Sequence, residues 1–452
     1  MPTHRLGEYI YDPDRLVFYK KDLDAEAIAE IHVYVKVDDD YDSVRKMLNA
    51  YDASEIRIRP GALKKAGICL TNNCNFRCGY CSASSLEGNI EPIRLEDVFA
   101  FVSDVMKRWT VNKLVGNGDE PLSLDFTGGG EPTYDWSLFR DAVTGIRQKA
   151  RDNGIPLTLG ITTNGLLDGV KTEFVTGQFE SVMVSYDGMP AIQNKNRCCA
   201  RLIHTSDAVE QTIRSLSKET LHLTIRTTIW QDDFRHMKAM ADHIFGNFGD
   251  SVEWSILPVV PAGRALRRAQ KTRGRFEQCE FLRQYLETVD HARQKYGPVA
   301  ISTPIFRGDI TTVFCGAISA FCSCPWLLPD KTIITCIESC AHKTVIGRVD
   351  DGRVEYFDKC QDPLFKMYQE KFDECRSCIA YRFCKGGCPV RHLTNRDART
   401  AMGDWECSMI RSYWEHVFAG VLEGERRLGW CAVPVKIGGV ERVGVLKLTR
   451  AG

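Results

Sequence analysis

Long apolar runs are missing from this chain: nothing approaches the roughly 18 uninterrupted apolar residues of a membrane-spanning helix. Its first residues, MPTHRLGEYIYDPDRL, carry no basic stretch followed by an apolar one, so a secretory signal is not expected either. Both absences point to a cytoplasmic protein. An excess of charge of one sign is also lacking. With 59 Lys+Arg against 59 Asp+Glu, no global field draws the molecule to nucleic acid or to an anionic membrane, and neither is expected as a partner. No repeat of solenoid period and no low-complexity tract occurs, which excludes a stacked-repeat scaffold.

What the chain has in excess is cysteine, 19 in 452 residues, high for an intracellular protein and below the range of disulfide scaffolds. Outside an oxidising compartment, cysteines at short regular spacings read as metal ligands before they read as disulfides. The length predicts two or three domains, and 44% apolar with 26% charged residues is ordinary for globular proteins.

Patterning divides the chain into five stretches. Residues 1–66 read as a small α+β preface, with an alternating strand around Ile31–Val37 and helical spacing of Val44, Met47 and Leu48. Between 67 and 262, strand-like runs at Gly67–Leu70, Leu122–Thr127, Leu157–Ile161, Ser181–Ser185, Leu223–Ile229 and Val252–Leu257 alternate with amphipathic helical runs. Leu95, Val98, Phe99, Val102, Val105, Met106 and Trp109 mark the first such helix. Six βα units predict a parallel sheet wound as a partial (β/α)6 TIM-like barrel, with functional loops at the strand C-termini. A basic linker and helix follow over 263–312. From 313 to 410 the chain is loop-rich, holds 11 of the 19 cysteines and has too few apolar residues for a core of its own, so metal is expected to staple it. Residues 411–452 read as a helix and a strand-like tail.

Cys74-Asn-Phe-Arg-Cys78-Gly-Tyr-Cys81 lies directly after the first barrel strand. Three closely spaced thiolates with no nearby fourth can hold a cubane iron–sulfur cluster at three irons and leave the fourth iron open to an outside ligand. The competing reading is a zinc site, which wants four ligands and usually shows C-x2-C pairs. Cys375-x2-Cys378-x5-Cys384-x3-Cys388, followed by Cys407, would by itself suit either a zinc knuckle or a cluster.

The three-cysteine loop resembles that of the radical S-adenosylmethionine superfamily, and Gly128-Gly129-Gly130-Glu131-Pro132, one βα unit later, looks like its glycine-rich motif. The resemblance implies a [4Fe–4S] cluster on Cys74, Cys78 and Cys81, with Tyr80 beside the adenine of S-adenosylmethionine. It also sets Gly128, Gly129, Gly130 and Glu131 near the methionyl amino group. Asn164, in Thr163-Asn164-Gly165, ends the third strand; Ser185-Tyr-Asp187-Gly188 ends the fourth, with Arg197 twelve residues after Ser185. In similar enzymes the Ser and Arg of this pattern bind the methionyl carboxylate.

The later cysteines resemble the SPASM extension of peptide-modifying radical enzymes, which implies two auxiliary [4Fe–4S] clusters. One would use Cys375, Cys378, Cys384 and Cys407. The other would use Cys315, Cys336, Cys388 and either Cys322 or Cys324, the spacing favouring Cys322; without either, its open iron could hold a substrate thiolate. Lys331 stands where the pattern has Gly. Cys340 and Cys360 have no assigned role, and Cys69, Cys198, Cys199, Cys279 and Cys431 read as small buried residues or bystanders.

The activity so implied is hydrogen abstraction from a ribosomally made peptide, giving a thioether or carbon–carbon crosslink, with a flavodoxin or ferredoxin supplying electrons. Anaerobic sulfatase maturation is the alternative; enzymes of that kind have Asp directly after the last cysteine of the first auxiliary segment, whereas here Cys336 is followed by Ile337 and Glu338. A non-catalytic iron–sulfur electron carrier is the alternative from another class. The preface could take a leader peptide as an added strand along His32–Val37, or serve as a cap. The run Arg264, Arg267, Arg268, Lys271, Arg273 and Arg275 could grip an acidic leader, or be a solvated linker.

Overall fold

The computed structural model describes residues 4–6, 9–12, 17–20, 27–35, 63, 65–83, 85, 91–114, 120–199, 204–219, 221–259, 262–266, 278–305, 324–337, 345–357, 375, 378–380, 384, 388, 405–422, 432–437 and 440–450. The expected helix over 43–50, Arg267, Arg268, Lys271, Arg273, Arg275, Cys315, Cys322, Glu338, Cys340, Cys360, Cys431 and the side chain of Cys279 lie outside the described residues.

Four strands open the chain: β1 (His4–Leu6), β2 (Tyr9–Asp12), β3 (Val17–Lys20) and β4 (Ala27–Val35). The parallel system then runs β5 (Lys65–Ile68), β6 (Leu122–Phe126), β7 (Leu157–Thr163), β8 (Ser181–Ser185), β9 (His222–Ile229), β10 (Val252–Pro258) and β11 (Ala300–Ser302). Helices α1 (Leu95–Leu114), α2 (Trp136–Asp152), α3 (Gly169–Gln178), α4 (Pro190–Asn196), α5 (Ser206–Leu216), α6 (Met237–Phe248) and α7 (Gln278–Tyr296) fill the crossovers. The sequence-predicted partial barrel is present. It has a seventh parallel strand, β11, too short to show a period.

Alternation on the strands separates two faces. Val182 and Val184 on β8, Leu223 and Ile225 on β9, and Val252, Trp254 and Ile256 on β10 are buried in the core beneath the helices. Ser185, Arg226 and Ser255 turn the other way and stand level with one another in register. Helix starts are fixed locally: Asp135 accepts from Leu138 N (3.1 Å) and Asp168 from Lys171 N (2.9 Å), and Pro190 occupies the first turn of α4. On α1, Phe101 is fully buried with Val98, Val102 and Val105. Phe99, expected on that face, is only partly buried and packs over Gly145 of α2.

The cysteine-rich segment is not separate from this sheet. Strands β12 (Trp326–Leu327), β13 (Thr332–Ile334), β14 (Val345–Asp350) and β15 (Arg353–Tyr356) extend it past β5, giving the order β11-β10-β9-β8-β7-β6-β5-β12-β13-β14-β15. β12 lies parallel to β5, with Trp326 opposite Gly67, and the following pairs are antiparallel. Lys331 sits in the β12–β13 turn at φ 66°, the left-handed region the family pattern fills with glycine, and its amine reaches the buried Asp97 of α1 at 3.2 Å. Tyr356 donates to Asp104 Oδ2 (3.1 Å) and lies under Arg108, docking the β14–β15 hairpin on the same helix.

Helix α8 (Trp405–Leu422) precedes β16 (Ala432–Ile437) and β17 (Val440–Arg450). These last strands join the first four in one antiparallel sheet, β1-β2-β3-β4-β17-β16. The two ends of the chain, read from sequence as a preface and a tail, are therefore one structural element. β17 pairs with β4 from Ala29 to Val35, so the strand expected to offer an open edge from His32 already has one side taken. β3 takes the other side only from Ala27 to Glu30.

A Cβ on Gly67 would overlap the Trp326 ring. Gly67→Ala is expected to destabilise the protein by about 1–3 kcal/mol, the usual cost of overpacking a filled interior. Urea denaturation followed by tryptophan fluorescence should show the lowered midpoint.

Candidate functional site

At the end of β5 the chain enters the three-cysteine loop under tight control. Thr71 Oγ1 accepts from Asn73 N (3.0 Å), and Asn73 O accepts from Glu131 N (2.9 Å). Phe76 is fully buried and bridges to Cys199, while Arg77 N donates to Cys198 O (2.8 Å) and Gly79 N to Asn196 O (3.0 Å). Each cysteine carbonyl has an arginine partner: Cys74 O takes Arg77 Nη1 (3.0 Å), Cys78 O takes Arg264 Nε (2.9 Å), and Cys81 O takes the backbone N–H of Arg264 (3.0 Å). Gly263, at φ 53°, lets that backbone lie against Cys81 and Ser82. Arg264, read from sequence as part of a leader-gripping or solvated run, clasps the cysteine loop instead.

Inside the loop, Cys74 Sγ accepts from Phe76 N (3.4 Å) and Cys81 Sγ lies 3.3 Å from Ser85 Oγ. Burial pushes the Cys78 thiol up to about 12, against the pull of Arg197, and the Cys74 thiol up to about 11, with the Glu131 carboxylate adding to it. Cys78 also feels Cys74 and Cys81, and Cys74 feels Cys81, so the three sulfurs share one space. Thiolates are costly there unless a cationic group replaces the lost water, which a metal cluster does. Among the described residues no three His, Cys, Asp or Glu side chains draw close enough for a single metal ion.

The glycine strip meets this loop from β6. Cβ atoms would collide with Cys69 at Gly128 (φ 139°), with the Asn72 side chain at Gly129 and with the Asn73 carbonyl at Gly130. Its glycines are thus required by close packing on the segment that leads into the cysteine loop. Cys69, read from sequence as a buried bystander, is buried but also bonded: its sulfur accepts from Gly129 N at 3.2 Å. Glu131 is buried, and its carboxylate accepts from Thr133 N (3.3 Å), Thr133 Oγ1 (2.8 Å), Thr163 Oγ1 (2.8 Å) and Asn164 N (2.7 Å), tying the β6 loop to the β7 loop. Asn164 in turn donates to Asn75 Oδ1 and approaches Cys74 Sγ at 3.8 Å. Both residues brace the loop.

On the opposite flank the Tyr80 hydroxyl donates to the Asp187 carboxylate (2.7 Å to Oδ1, 2.5 Å to Oδ2), and Arg197 Nε donates to Oδ1 (2.9 Å). The Arg197 guanidinium stands 5.2 Å from the Tyr80 ring centre, and Trp230 meets Tyr80 edge-on at 6.4 Å. Val259 and Ala265 complete an apolar wall around Tyr80 and Trp230. Neighbouring Asp187, Tyr80 and Cys78 hold the Arg197 guanidinium well above its ordinary pKa against the cost of burial, so it is always charged. Among the described residues its two terminal nitrogens and the Ser185 hydroxyl have no hydrogen-bond partner. Asp187 received no role from the sequence; its place in Ser185-Tyr-Asp187-Gly188 was the available signal.

Further along, burial raises the Cys384 thiol, and the nearby Cys407, Glu406, Cys375 and Cys378 raise it further. These are the four cysteines expected to share one cluster, and they occupy one neighbourhood. Cys407 comes from the first turn of α8, and Cys378 N bonds Cys375 O at 2.9 Å. Of the other expected set, Cys336 follows β13 and Cys388 is partly buried; Cys324 packs beside Cys69, Trp326 and Ile334.

Comparison with known proteins bears on this arrangement. No family model matches the chain. It is 21% identical over 364 residues to a cysteine-type anaerobic sulfatase-maturating enzyme of Clostridium perfringens, covering 77% of this chain and 94% of that protein. The solved structure of native anSMEcpe with bound AdoMet superposes with a TM-score of 0.60 at 18% identity, over 79% of this chain and 97% of that one. Streptococcus suis SuiB bound to precursor peptide SuiA gives 0.54 at 14% identity, covering 79% and 78%. In sequence the chain is similar to the first of these enzymes, and it shares the fold of all of them. The cysteine loop stands at the C-terminal end of β5, the first strand of the parallel system, facing the loops that follow β6, β7 and β8.

Glu131→Gln replaces one acceptor oxygen by an amide NH2 donor and leaves at least one of four buried donors unmatched. A loss of about 1–3 kcal/mol is expected, read as a lower denaturation midpoint of the apoprotein. Arg264→Met should leave the barrel folded by circular dichroism yet lower the iron retained after anaerobic reconstitution and gel filtration, because the Cys78 carbonyl loses its tether.

Proposed function

We propose that this chain is a SPASM-type radical S-adenosylmethionine enzyme that modifies a ribosomally made peptide. The observation that carries the reading is the trio of half-buried cysteines in an arginine-clasped loop, with a second neighbourhood of four cysteines downstream. Cys74, Cys78 and Cys81 would hold the cluster that binds S-adenosylmethionine; Cys375, Cys378, Cys384 and Cys407 would hold one auxiliary cluster, and Cys315, Cys322, Cys336 and Cys388 the other. A cluster held by Cys74, Cys78 and Cys81 would supply one-electron reduction of S-adenosylmethionine and, through it, radical abstraction of a hydrogen atom from the substrate.

The protein's own contribution is orientation and exclusion. Ser185 and the terminal nitrogens of Arg197 suit the methionyl carboxylate, one as a hydroxyl donor and the other as a planar fork. Tyr80, with Trp230, Val259 and Ala265 beside it, makes a dry apolar wall suited to an adenine. Gly129 and Gly130 keep side chains out of the approach to the loop. A low-potential flavodoxin or ferredoxin of the cytoplasm would supply the electron.

Crosslink formation is the preferred outcome. SuiB, solved with its precursor peptide, supports a peptide substrate. Sulfatase maturation is the second reading, favoured by the extended similarity to the Clostridium perfringens enzyme and weakened by Ile337 after Cys336. Anaerobically reconstituted protein with dithionite and S-adenosylmethionine is expected to release 5′-deoxyadenosine, and Cys78→Ala to release none. Mass spectrometry of a peptide encoded beside the gene should show loss of two hydrogens with an internal linkage. Formylglycine in a sulfatase-derived peptide would select the second reading, and a wild-type protein that makes no 5′-deoxyadenosine under competent reduction would overturn both.

A further inference from the structure

Resting on the reading above, we propose that Asp187 is a positioning residue that joins the aromatic of the cysteine loop to the cation of the β8 loop, so that S-adenosylmethionine meets one preformed cradle rather than two independent loops. Tyr80 and Arg197 are 117 residues apart. Even so, one carboxylate receives both: the Tyr80 hydroxyl lies 2.7 Å from Oδ1 and 2.5 Å from Oδ2, and Arg197 Nε donates to Oδ1 at 2.9 Å. All three residues are buried, Asp187 completely.

The carboxylate is itself held in place. Asp187 N donates to Gln193 Oε1 at 2.9 Å, and Gly188 turns at φ 82° with Met240 behind it, leaving no room for a side chain. On the other arm, Arg197 O accepts from Thr205 Oγ1 at 3.0 Å. Meeting Asp187 through Nε leaves the terminal nitrogens of Arg197 free for a second acceptor. The same contact lays the guanidinium against the Tyr80 ring at 5.2 Å. An acidic residue suits this place for two reasons: it neutralises a guanidinium that would otherwise be buried uncompensated, and it accepts from two donors at once. Asn matches its shape and does neither fully.

The test compares Asp187→Asn, Tyr80→Phe and the double variant with wild type, each anaerobically reconstituted. Iron content, S-adenosylmethionine affinity by equilibrium dialysis, and the change that S-adenosylmethionine causes in the electron paramagnetic resonance spectrum of the reduced cluster are recorded. Asp187→Asn is expected to keep wild-type iron and weaken S-adenosylmethionine binding about tenfold or more, with the spectral change reduced at concentrations that saturate wild type. Tyr80→Phe, which removes one arm, should weaken it less, and the double variant should be no worse than Asp187→Asn alone, since both act through one contact. Unchanged affinity in Asp187→Asn with full iron overturns the proposal, as do strictly additive losses. If Asp187→Asn fails to fold, Tyr80→Phe decides: weakened binding at full iron supports the clamp, and unchanged binding overturns it. A wild-type protein that does not bind S-adenosylmethionine would instead overturn the cofactor reading itself.

Discussion

The lateral bonding of β5 carries the rest of this structure. Only four residues long, it is held on one side by β6 and on the other by β12, both parallel to it. Gly67 has no side chain because the Trp326 ring fills that space, and the two strands close together there. The three-cysteine loop hangs from the end of β5, the glycine strip from the end of β6, and Cys336 lies just past the β12–β13 hairpin. One short strand therefore sets the spacing between the loop that would bind the cofactor and the segment that would bind an auxiliary cluster.

From that anchor the loop is built by satisfying its backbone. A loop with buried carbonyls is unstable unless each finds a donor. Here the donors are Arg77 and Arg264, while the cation that acts on a thiol, that of Cys78, is Arg197. On one flank Glu131 gathers four donors from three residues, and on the other Asp187 gathers two from distant segments. Buried carboxylates thus act as knots between βα loops, each placed where strands that are neighbours in the sheet release their chains. The chemistry expected of the site requires a dry, prearranged cavity, and these knots reduce the freedom of loops that would otherwise be mobile.

The auxiliary segment gains its order in a different way. Its short strands have little core, and they borrow the barrel's: β12 bonds β5, Tyr356 and Lys331 reach α1, and Trp326 covers Gly67. Lys331 accepts the left-handed backbone that glycine would adopt freely, and in exchange its amine meets Asp97, which has no exposure of its own. A glycine at that turn would lack this tie between the hairpin and the helix.

Much of this was legible in one dimension because it is periodic or contiguous. The six parallel strands and α1 follow from runs of alternating and helical hydrophobicity, and the grouping of Cys74, Cys78 and Cys81 from spacing alone. Spacing and family resemblance also group Cys375, Cys378, Cys384 and Cys407, which lie in one neighbourhood. What only the tertiary structure decided is non-local pairing. Strands of two or three residues, β11 and β12, have no period to read, and nothing in the composition of either end of the chain says that β4 pairs with β17. The contacts of Arg264, Cys69 and Asp187 were hidden for the same reason, since hydrogen bonds between residues 60 to more than 180 positions apart depend on where the sheet brings loops together. Local sequence encodes which elements form; the energy that selects their partners comes from buried groups that meet only once the chain has closed on itself.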